Sequence, residues 1–207
     1  MNQESVHSPT IFVVDDDAAV RDSLSLLISL KGMRAAVFAS AVSFLEVYKN
    51  EWRGCLLTDL RMPDMDGLAL QAELQKRHIT LPVVILSAHG DVATTRTALK
   101  GGAVDFLEKP VSDEVLVDVL QNAIRIDAER HRESAQKAQA EALFDRLTPR
   151  ERAVLGLLAE GLQHRDIALR LNISPRTVEV YKARMMEKLH CRTIAEVVRF
   201  GARLAQA

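Results

Sequence analysis

Residues 54–67 read GCLLTDLRMPDMDG, and this stretch decides how the first half of the chain is interpreted. An apolar run typical of a buried strand ends at Asp59, and the turn-forming residues Pro63 and Gly67 follow within eight positions. A carboxylate at the end of a buried strand loses hydration unless a compensating group lies beside it. A partner for Asp59 must therefore come from elsewhere in the chain.

Short apolar runs and amphipathic stretches alternate through the first 125 residues. Five runs predict strands, and the stretches that follow them have the apolar spacing of helices. The predicted strands are residues 10–14 (TIFVV), 35–38 (AAVF), 54–58 (GCLLT), 82–87 (PVVILS) and 104–107 (VDFL). Five strands alternating with five helices predict an α/β fold with a doubly wound, five-stranded parallel sheet of the flavodoxin-like type.

The carboxyl ends of parallel strands lie at one edge of the sheet, where such folds bind their ligands. In this chain, acids, one hydroxyl and one lysine occupy those ends. They are Asp15, Asp16 and Asp17 after the first strand, Asp59 after the third, Ser87 at the end of the fourth and Lys109 after the fifth. The lysine ammonium and a divalent cation are the compensating groups that we expect beside Asp59.

A magnesium ion suits this set of residues. Clustered carboxylates repel each other, and Mg²⁺ relieves the repulsion with a few oxygen ligands while keeping several waters. We expect Asp16 and Asp59 as direct ligands, the backbone carbonyl of Arg61 as a third, and Asp15 as a ligand through water. With Mg²⁺ and Lys109 stabilising negative charge, Asp59 can act as a nucleophile toward a phosphoryl group.

The two parts of the chain differ in charge. Residues 1–125 carry 12 Lys/Arg and 17 Asp/Glu, a net charge of −5, whereas residues 126–207 carry 15 and 11, a net charge of +4. This asymmetry indicates an acidic unit joined to one that prefers a polyanion. Residues 126–142 lack Gly and Pro and are rich in helix formers, so they predict a helical linker rather than a flexible tether.

Features of secreted or membrane proteins are not found in the sequence. The N-terminal residues lack the pattern of a signal peptide, and no apolar run is long enough to span a membrane. The two cysteines lie far apart and are expected to be reduced thiols. These observations favour a cytoplasmic protein.

From residue 143 onward the pattern predicts a compact all-α unit. Residues 148–151 (TPRE) predict a capped helix start, and Ser174-Pro175 starts a further helix after a short turn. Two helices joined in this way are typical of a helix-turn-helix, whose second helix enters the major groove of DNA.

The second helix, over residues 177–189, is the predicted reading helix, with Val178, Met185 and Leu189 facing the core. The residues expected on or beside its reading face are Thr177, Glu179, Val180, Lys182, Ala183 and Arg184. The expected phosphate contacts are Arg165, Arg176 and Lys182, and Glu179 has the chemistry to accept a hydrogen bond from cytosine. The alternative is a basic face that is merely solvated. The net charge of +5 over residues 143–207, from 12 Lys/Arg and 7 Asp/Glu, favours a polyanion.

Four ordered motifs resemble the receiver domain of two-component response regulators over residues 9–125: VVDDD (13–17), LTDLRMPDMDG (57–67), LSAHGD (86–91) and FLEKP (106–110). The resemblance implies that a sensor histidine kinase phosphorylates Asp59. It also implies that Ser87 bonds the phosphoryl group and that Phe106 then turns inward, although a simple core role also explains Phe106. His89 is expected to be a loop residue rather than a ligand.

Residues 143–207 resemble LuxR/GerE-type helix-turn-helix domains, through LTPRE (147–151), the Ile-Ala pair at 167–168 and ISPRTVEVYKARMMEKL (173–189). The chain as a whole resembles the FixJ subgroup of response regulators. This resemblance implies a transcription regulator that binds double-stranded promoter DNA and works with RNA polymerase. We also expect a phosphorylation-dependent homodimer, because movement of Ser87 toward a phosphoryl group, with Phe106 filling the vacated space, would reshape the surface formed by residues 92–107. The sequence departs from the usual pattern at residues 164–166, where His-Arg-Asp replaces Asn-Lys-Glu.

Two alternative functions compete with this interpretation. An aspartyl-phosphate phosphatase also uses an aspartate at a strand end, but a second acid two residues later is typical there, and this chain has Arg61 at that position. The second alternative is an interaction module whose helical unit binds protein or RNA. We expect a regulator rather than an enzyme.

Overall fold

The computed structural model describes residues 8–88 and 90–205, of which 202–205 are described by their backbone alone. The expectations for the first seven residues and for His89 lie outside the described residues. The chain divides into two compact units, Met1–Arg130 and His131–Ala207. The predicted domain boundaries at residues 9–125, 126–142 and 143–207 stay predictions.

The first unit contains a five-stranded parallel sheet with the strand order β2-β1-β3-β4-β5. The strands are β1 (Thr10–Val14), β2 (Arg34–Phe38), β3 (Gly54–Asp59), β4 (Val83–Ser87) and β5 (Asp105–Glu108). The three central strands β1, β3 and β4 are buried almost throughout, as expected for a sheet that is covered on both faces. The predicted doubly wound α/β fold is confirmed.

Five helices accompany this sheet: α1 (Ala18–Leu30), α2 (Ala41–Val47), α3 (Gly67–Lys76), α4 (Val92–Lys100) and α5 (Asp113–Asp145). An aspartate caps each of α1, α3 and α4 by accepting hydrogen bonds from backbone N–H groups of the first turn. These caps are Asp17, Asp66 and Asp91. Asp17, the third acid of the first cluster, is therefore engaged as a helix cap.

The core of the first unit has two layers, one on each face of the sheet. Phe12, Phe44, Leu56, Leu70 and Ile85 belong to one layer. Ile11, Ile28, Leu57, Leu116 and Leu120 belong to the other. Adjacent residues of β1 and β3 thus alternate between the two layers, as strand geometry requires.

The helix α5 runs without a break for 33 residues and contributes to both units. The helical conformation predicted for residues 126–142 is observed. Neither α5 nor any other helix in the described part of the chain has the length and hydropathy needed to cross a membrane.

The second unit is all α-helical, with α6 (Pro149–Ala159), α7 (His164–Leu171), α8 (Pro175–Lys188) and α9 (Ile194–Ala205) following the end of α5. The turn between α7 and α8 contains Asn172 with a left-handed φ of 53°, a conformation that asparagine tolerates. Ser174 then caps α8 by accepting a hydrogen bond from the N–H of Thr177. The predicted helix-turn-helix arrangement is thus observed in the backbone.

Both cysteines are free thiols. Cys55 lies in β3 and is fully buried, and this burial raises its pKa to about 12. Cys191 lies between α8 and α9 and is half-buried, and burial raises its pKa as well.

Candidate functional site

The carboxyl ends of β1, β3 and β5 bring three of the predicted site residues into contact. The Nζ atom of Lys109 lies 2.5 Å from Oδ1 of Asp59 and 3.2 Å from Oδ2 of Asp15. The side chains of Asp15 and Asp59 are only 4% and 12% exposed, so the ammonium compensates two carboxylates that have little access to water. This ion pair explains how β3 can end in an acid.

Backbone N–H groups fix the orientation of both carboxylates. Oδ2 of Asp59 accepts a hydrogen bond of 2.7 Å from the N–H of Arg61, and Oδ1 of Asp15 accepts one of 2.9 Å from the N–H of Asp17. Each carboxylate therefore has one oxygen held by the backbone and the other by Lys109. The carboxylate oxygens of Asp59 and Asp15 are therefore held in a defined orientation by the fold.

The charges of this site depend on each other. Burial is the main cause of a raised pKa for Asp15, and the N–H of Asp17 and the ammonium of Lys109 oppose it. Burial alone would lower the pKa of Lys109, but Asp59 and Asp15 outweigh it, so that the pKa of Lys109 is raised. Lys109 is therefore a permanent positive charge beside Asp59 at neutral pH.

The two residues expected to respond to a phosphoryl group lie on β4 and β5. Ser87 is 1% exposed and ends β4, and its carbonyl accepts a hydrogen bond of 2.7 Å from the N–H of Lys109. Phe106 is half-buried and packs against the core layer that contains Phe12 and Ile85. A Cβ atom at Gly90 would lie 3.0 Å from Cε1 of Phe106, so the ring also borders the loop after β4. The switch role of this pair stays a prediction.

The remaining predicted metal ligands, Asp16 and Arg61, are exposed. Within residues 8–88 and 90–205, no three His, Cys, Asp or Glu side chains are arranged to hold a metal ion. The candidate donors fit Mg²⁺ in chemical type, because they are all carboxylate or carbonyl oxygens, and the exposure of two of them leaves space for the waters that this ion retains. The assignment of individual ligands stays a prediction.

The helix α8 has a buried face and an exposed face, as predicted. Val178 and Met185 are fully buried, and Leu189, which follows α8, is 3% exposed. The exposed predicted contact residues are Arg165 on α7, and Arg176, Glu179, Val180, Ala183 and Arg184 on α8. The exposed face of α8 thus carries two arginines and a glutamate together with two apolar side chains, and Arg165 lies on the neighbouring helix α7.

Two of the predicted DNA contacts have partners within the protein. Thr177 is half-buried, and its Oγ1 lies 2.8 Å from Oγ of Ser174, so it belongs to the cap of α8. Lys182 is half-buried with its Nζ 3.5 Å from Nε2 of His164. These contacts hold the two side chains in place, which lowers the entropy that they lose on binding.

An ion pair that sequence reasoning missed joins the last turn of α8 to the first turn of α6, through a half-buried lysine and a buried acid. Glu151 is 2% exposed, and its Oε2 lies 2.6 Å from Nζ of Lys188 and 2.8 Å from the N–H of Thr148. Burial alone would raise the pKa of Glu151, but its bonds to Lys188 and Thr148 outweigh it and hold the pKa below its ordinary value. The TPRE motif predicted the cap at Thr148, whereas nothing local indicated that Lys188 meets it.

Comparison with protein families matches residues 11–121 to the response regulator receiver domain and residues 145–200 to bacterial regulatory proteins of the luxR family. This chain belongs to the two-component response regulators. The resemblance expected from its motifs is confirmed. With a receiver domain and a LuxR-type DNA-binding domain, this response regulator acts as a transcription factor.

Similar proteins and structures cover nearly the whole of this response regulator. Nodulation protein W of Bradyrhizobium diazoefficiens is 37% identical over 194 residues, covering 94% of this chain and 86% of that protein. Transcriptional regulatory protein FixJ of the same organism is 39% identical over 193 residues, covering 93% and 94%. The structure of response regulator StyR matches with a TM-score of 0.85 at 39% identity, covering 95% of this chain and 99% of that one.

Proposed function

We propose that this response regulator accepts a phosphoryl group on Asp59 from a sensor histidine kinase and then binds promoter DNA. The observation that carries the proposal is the contact of Asp59 and Asp15 with Lys109 at the carboxyl end of the sheet. In the transfer, an Oδ atom of Asp59 forms a bond to phosphorus as the phosphorus–nitrogen bond of the kinase phosphohistidine breaks.

The residues around Asp59 have distinct roles in this transfer. Lys109 neutralises the charge of the incoming group, and the hydroxyl of Ser87 bonds one of its oxygens. Asp16, Asp59 and the Arg61 carbonyl would hold Mg²⁺, with Asp15 acting through water. When bound, that ion supplies electrostatic stabilisation of the phosphoryl oxygens. Phe106 then moves inward as Ser87 is drawn toward the phosphoryl group.

The DNA-binding step uses the exposed face of α8. Arg165, Arg176 and Lys182 contact phosphates, and Glu179 accepts a hydrogen bond from cytosine in the major groove. The remaining predicted residues lie on or beside this reading face: Thr177, Val180, Ala183 and Arg184. The phosphorylated protein binds as a homodimer and regulates transcription by RNA polymerase. Since promoter DNA and the polymerase share the bacterial cytoplasm, the protein belongs in that compartment.

Intact mass spectrometry tests the phosphoacceptor. Incubation with acetyl phosphate and Mg²⁺ is expected to add one phosphoryl group to the wild type and none to Asp59→Asn. Asp64→Asn is the matched control, because Asp64 is an exposed acid of the same loop and asparagine tolerates its left-handed φ of 64°. A phosphoryl group found on serine or histidine would contradict the proposal.

The same preparations separate a regulator from a phosphatase. A regulator holds its phosphoryl group on Asp59 and does not turn over unrelated phosphomonoesters. Steady hydrolysis of such esters that is lost in Asp59→Asn would favour the enzyme instead. The remaining alternative is an interaction module whose helical unit binds protein or RNA. Competition between duplex DNA and RNA for the wild type tests RNA binding, and a preference for RNA would overturn the promoter-binding step.

A further inference from the structure

Asp127 is a buried ionisable residue that the proposed phosphoryl transfer does not use. It lies on α5, within the segment that the sequence assigns to the linker, yet it is only 3% exposed. Its Oδ2 accepts a hydrogen bond of 2.9 Å from the N–H of Gly54 in the first unit. Burying a carboxylate costs free energy unless hydrogen bonds compensate it, and the N–H of Gly54 contributes to that compensation.

Gly54 is the first residue of β3, the strand whose last residue is Asp59. Its φ of +130° is one that glycine tolerates, and a Cβ atom there would overlap the backbone of Thr10 on β1. The N–H of Gly54 is therefore held in a close contact that no other residue type reproduces. Hence β3 is bonded at one end to Lys109, through Asp59, and at the other end to Asp127.

Asp127 also interrupts an apolar stripe on α5. Leu116, Leu120 and Ala123 are fully buried at the spacing of one helix face, and residue 127 continues that spacing by four. A carboxylate therefore occupies a place where an apolar side chain would extend the packing. One turn later, Nη1 of Arg130 donates a hydrogen bond of 3.0 Å to the carbonyl of Thr80. Polar contacts thus attach this stretch of α5 to the rest of the first unit.

We propose that Asp127 is a positioning residue that couples the aspartate site to α5 through β3, an inference that rests on the proposed phosphorylation of Asp59. A displacement of β3 at its Asp59 end reaches α5 through the N–H of Gly54. Since α5 continues to Asp145, within the DNA-binding unit, this bond ties the state of the receiver to the element that carries that unit. Removal of the acceptor at residue 127 leaves α5 free of that constraint.

Two variants of Asp127 separate coupling from packing. Asp127→Leu extends the apolar stripe but removes the acceptor, whereas Asp127→Asn keeps an oxygen that can accept from Gly54. Asp118→Leu is the matched control, because Asp118 is an exposed residue of the same helix. For each variant, intact mass measures phosphoryl uptake, and affinity for a duplex selected with the wild type is measured with and without acetyl phosphate. Circular dichroism checks that each variant is folded.

The expected result is a loss of response without a loss of phosphorylation. If the wild type gains about 5- to 150-fold in DNA affinity, the usual range for coupled sites, Asp127→Leu is expected to gain less than about twofold. Asp127→Asn and Asp118→Leu are expected to keep the wild-type gain. If Asp127→Leu does not fold, Asp127→Ala makes the same comparison with a smaller side chain.

If phosphorylation raises the DNA affinity of Asp127→Leu as much as it raises that of the wild type, this inference is overturned, whereas the proposal for Asp59 stays intact. A wild type that takes up no phosphoryl group would overturn both. If Asp118→Leu also loses the increase in DNA affinity on phosphorylation, an added leucine on α5 explains the loss in both variants. That result would also overturn the role of Asp127.

Discussion

The ionised carboxylate of Asp15 works against the stability of the fold. Its folded pKa is raised, mainly by burial, so the folded state holds its proton more tightly than the unfolded state does. Stability therefore falls as pH rises from the ordinary value of 3.8 through the raised pKa. If the proposed site needs a charged acid beside Lys109, this loss of stability is of the kind that functional sites often carry.

We therefore expect Asp15→Asn to be more stable than the wild type at pH 7, by about 0.5–2 kcal/mol. Asparagine resembles the protonated acid and keeps an oxygen for the N–H of Asp17. The advantage should shrink as pH falls through the raised pKa and vanish below 3.8, where Asp15 of the wild type is protonated in both the folded and the unfolded state. Denaturant unfolding at several pH values measures it, and an advantage that grows in acid would contradict this assignment.

At the scale of the element, α8 combines a rigid placement with a charged exposed face. The Glu151–Lys188 ion pair anchors its last turn, and Ser174 caps its first. The contact of Lys182 with His164 holds that ammonium at the edge of the exposed face. A helix held in this way is suited to the proposed contacts with DNA phosphates, and the dependence of binding on salt can test them.

If Lys182 contacts a phosphate, Lys182→Ala should weaken DNA binding and reduce the slope of log affinity against log salt by about one unit. The slope falls because one fewer counterion is released. Lys137→Ala is a matched control, since Lys137 is an exposed lysine on α5. Titrations at several salt concentrations measure both slopes, and an unchanged slope in Lys182→Ala would remove this residue from the interface.

Sequence patterns predicted the elements well because the signals for them are local. Apolar runs that end at Asp or Ser residues predicted where the strands end, and the capping residues Thr148 and Ser174 predicted where two helices begin. Two long-range contacts were missed: the hydrogen bond that Gly54 donates to Asp127 and the ion pair of Lys188 with Glu151. Their partners lie 73 and 37 positions apart in the chain. Polar partners at such separations are set by the packed fold, and neither residue carries a local sign of its partner.

At the scale of the whole molecule, phosphorylation is expected to convert monomers into dimers. The helix α4 carries two exposed apolar side chains, Val92 at 74% and Leu99 at 46% exposure, on the surface proposed for the dimer. Burial of these side chains between two copies would favour association. Sedimentation should show mostly monomer before acetyl phosphate and dimer after it.

Leu99→Glu should keep phosphoryl uptake and lose the dimer, because each copy would have to bury a carboxylate in the interface. Leu26→Glu is the control, since Leu26 on α1 is 62% exposed and lies outside the proposed surface. If the phosphorylated wild type stays monomeric at micromolar concentration while its DNA affinity rises, the release of a contact between domains would explain activation better than dimerisation.

The unequal environments of the two thiols make the molecule convenient for optical measurements. A maleimide dye reacts with thiolates, and the burial of Cys55 together with its pKa of about 12 leaves it almost unreactive in the folded protein. Cys191 is half-buried, so a dye should attach there first. The natural sequence therefore offers one preferred labelling position in the DNA-binding unit, and fluorescence anisotropy could follow promoter binding without an engineered cysteine.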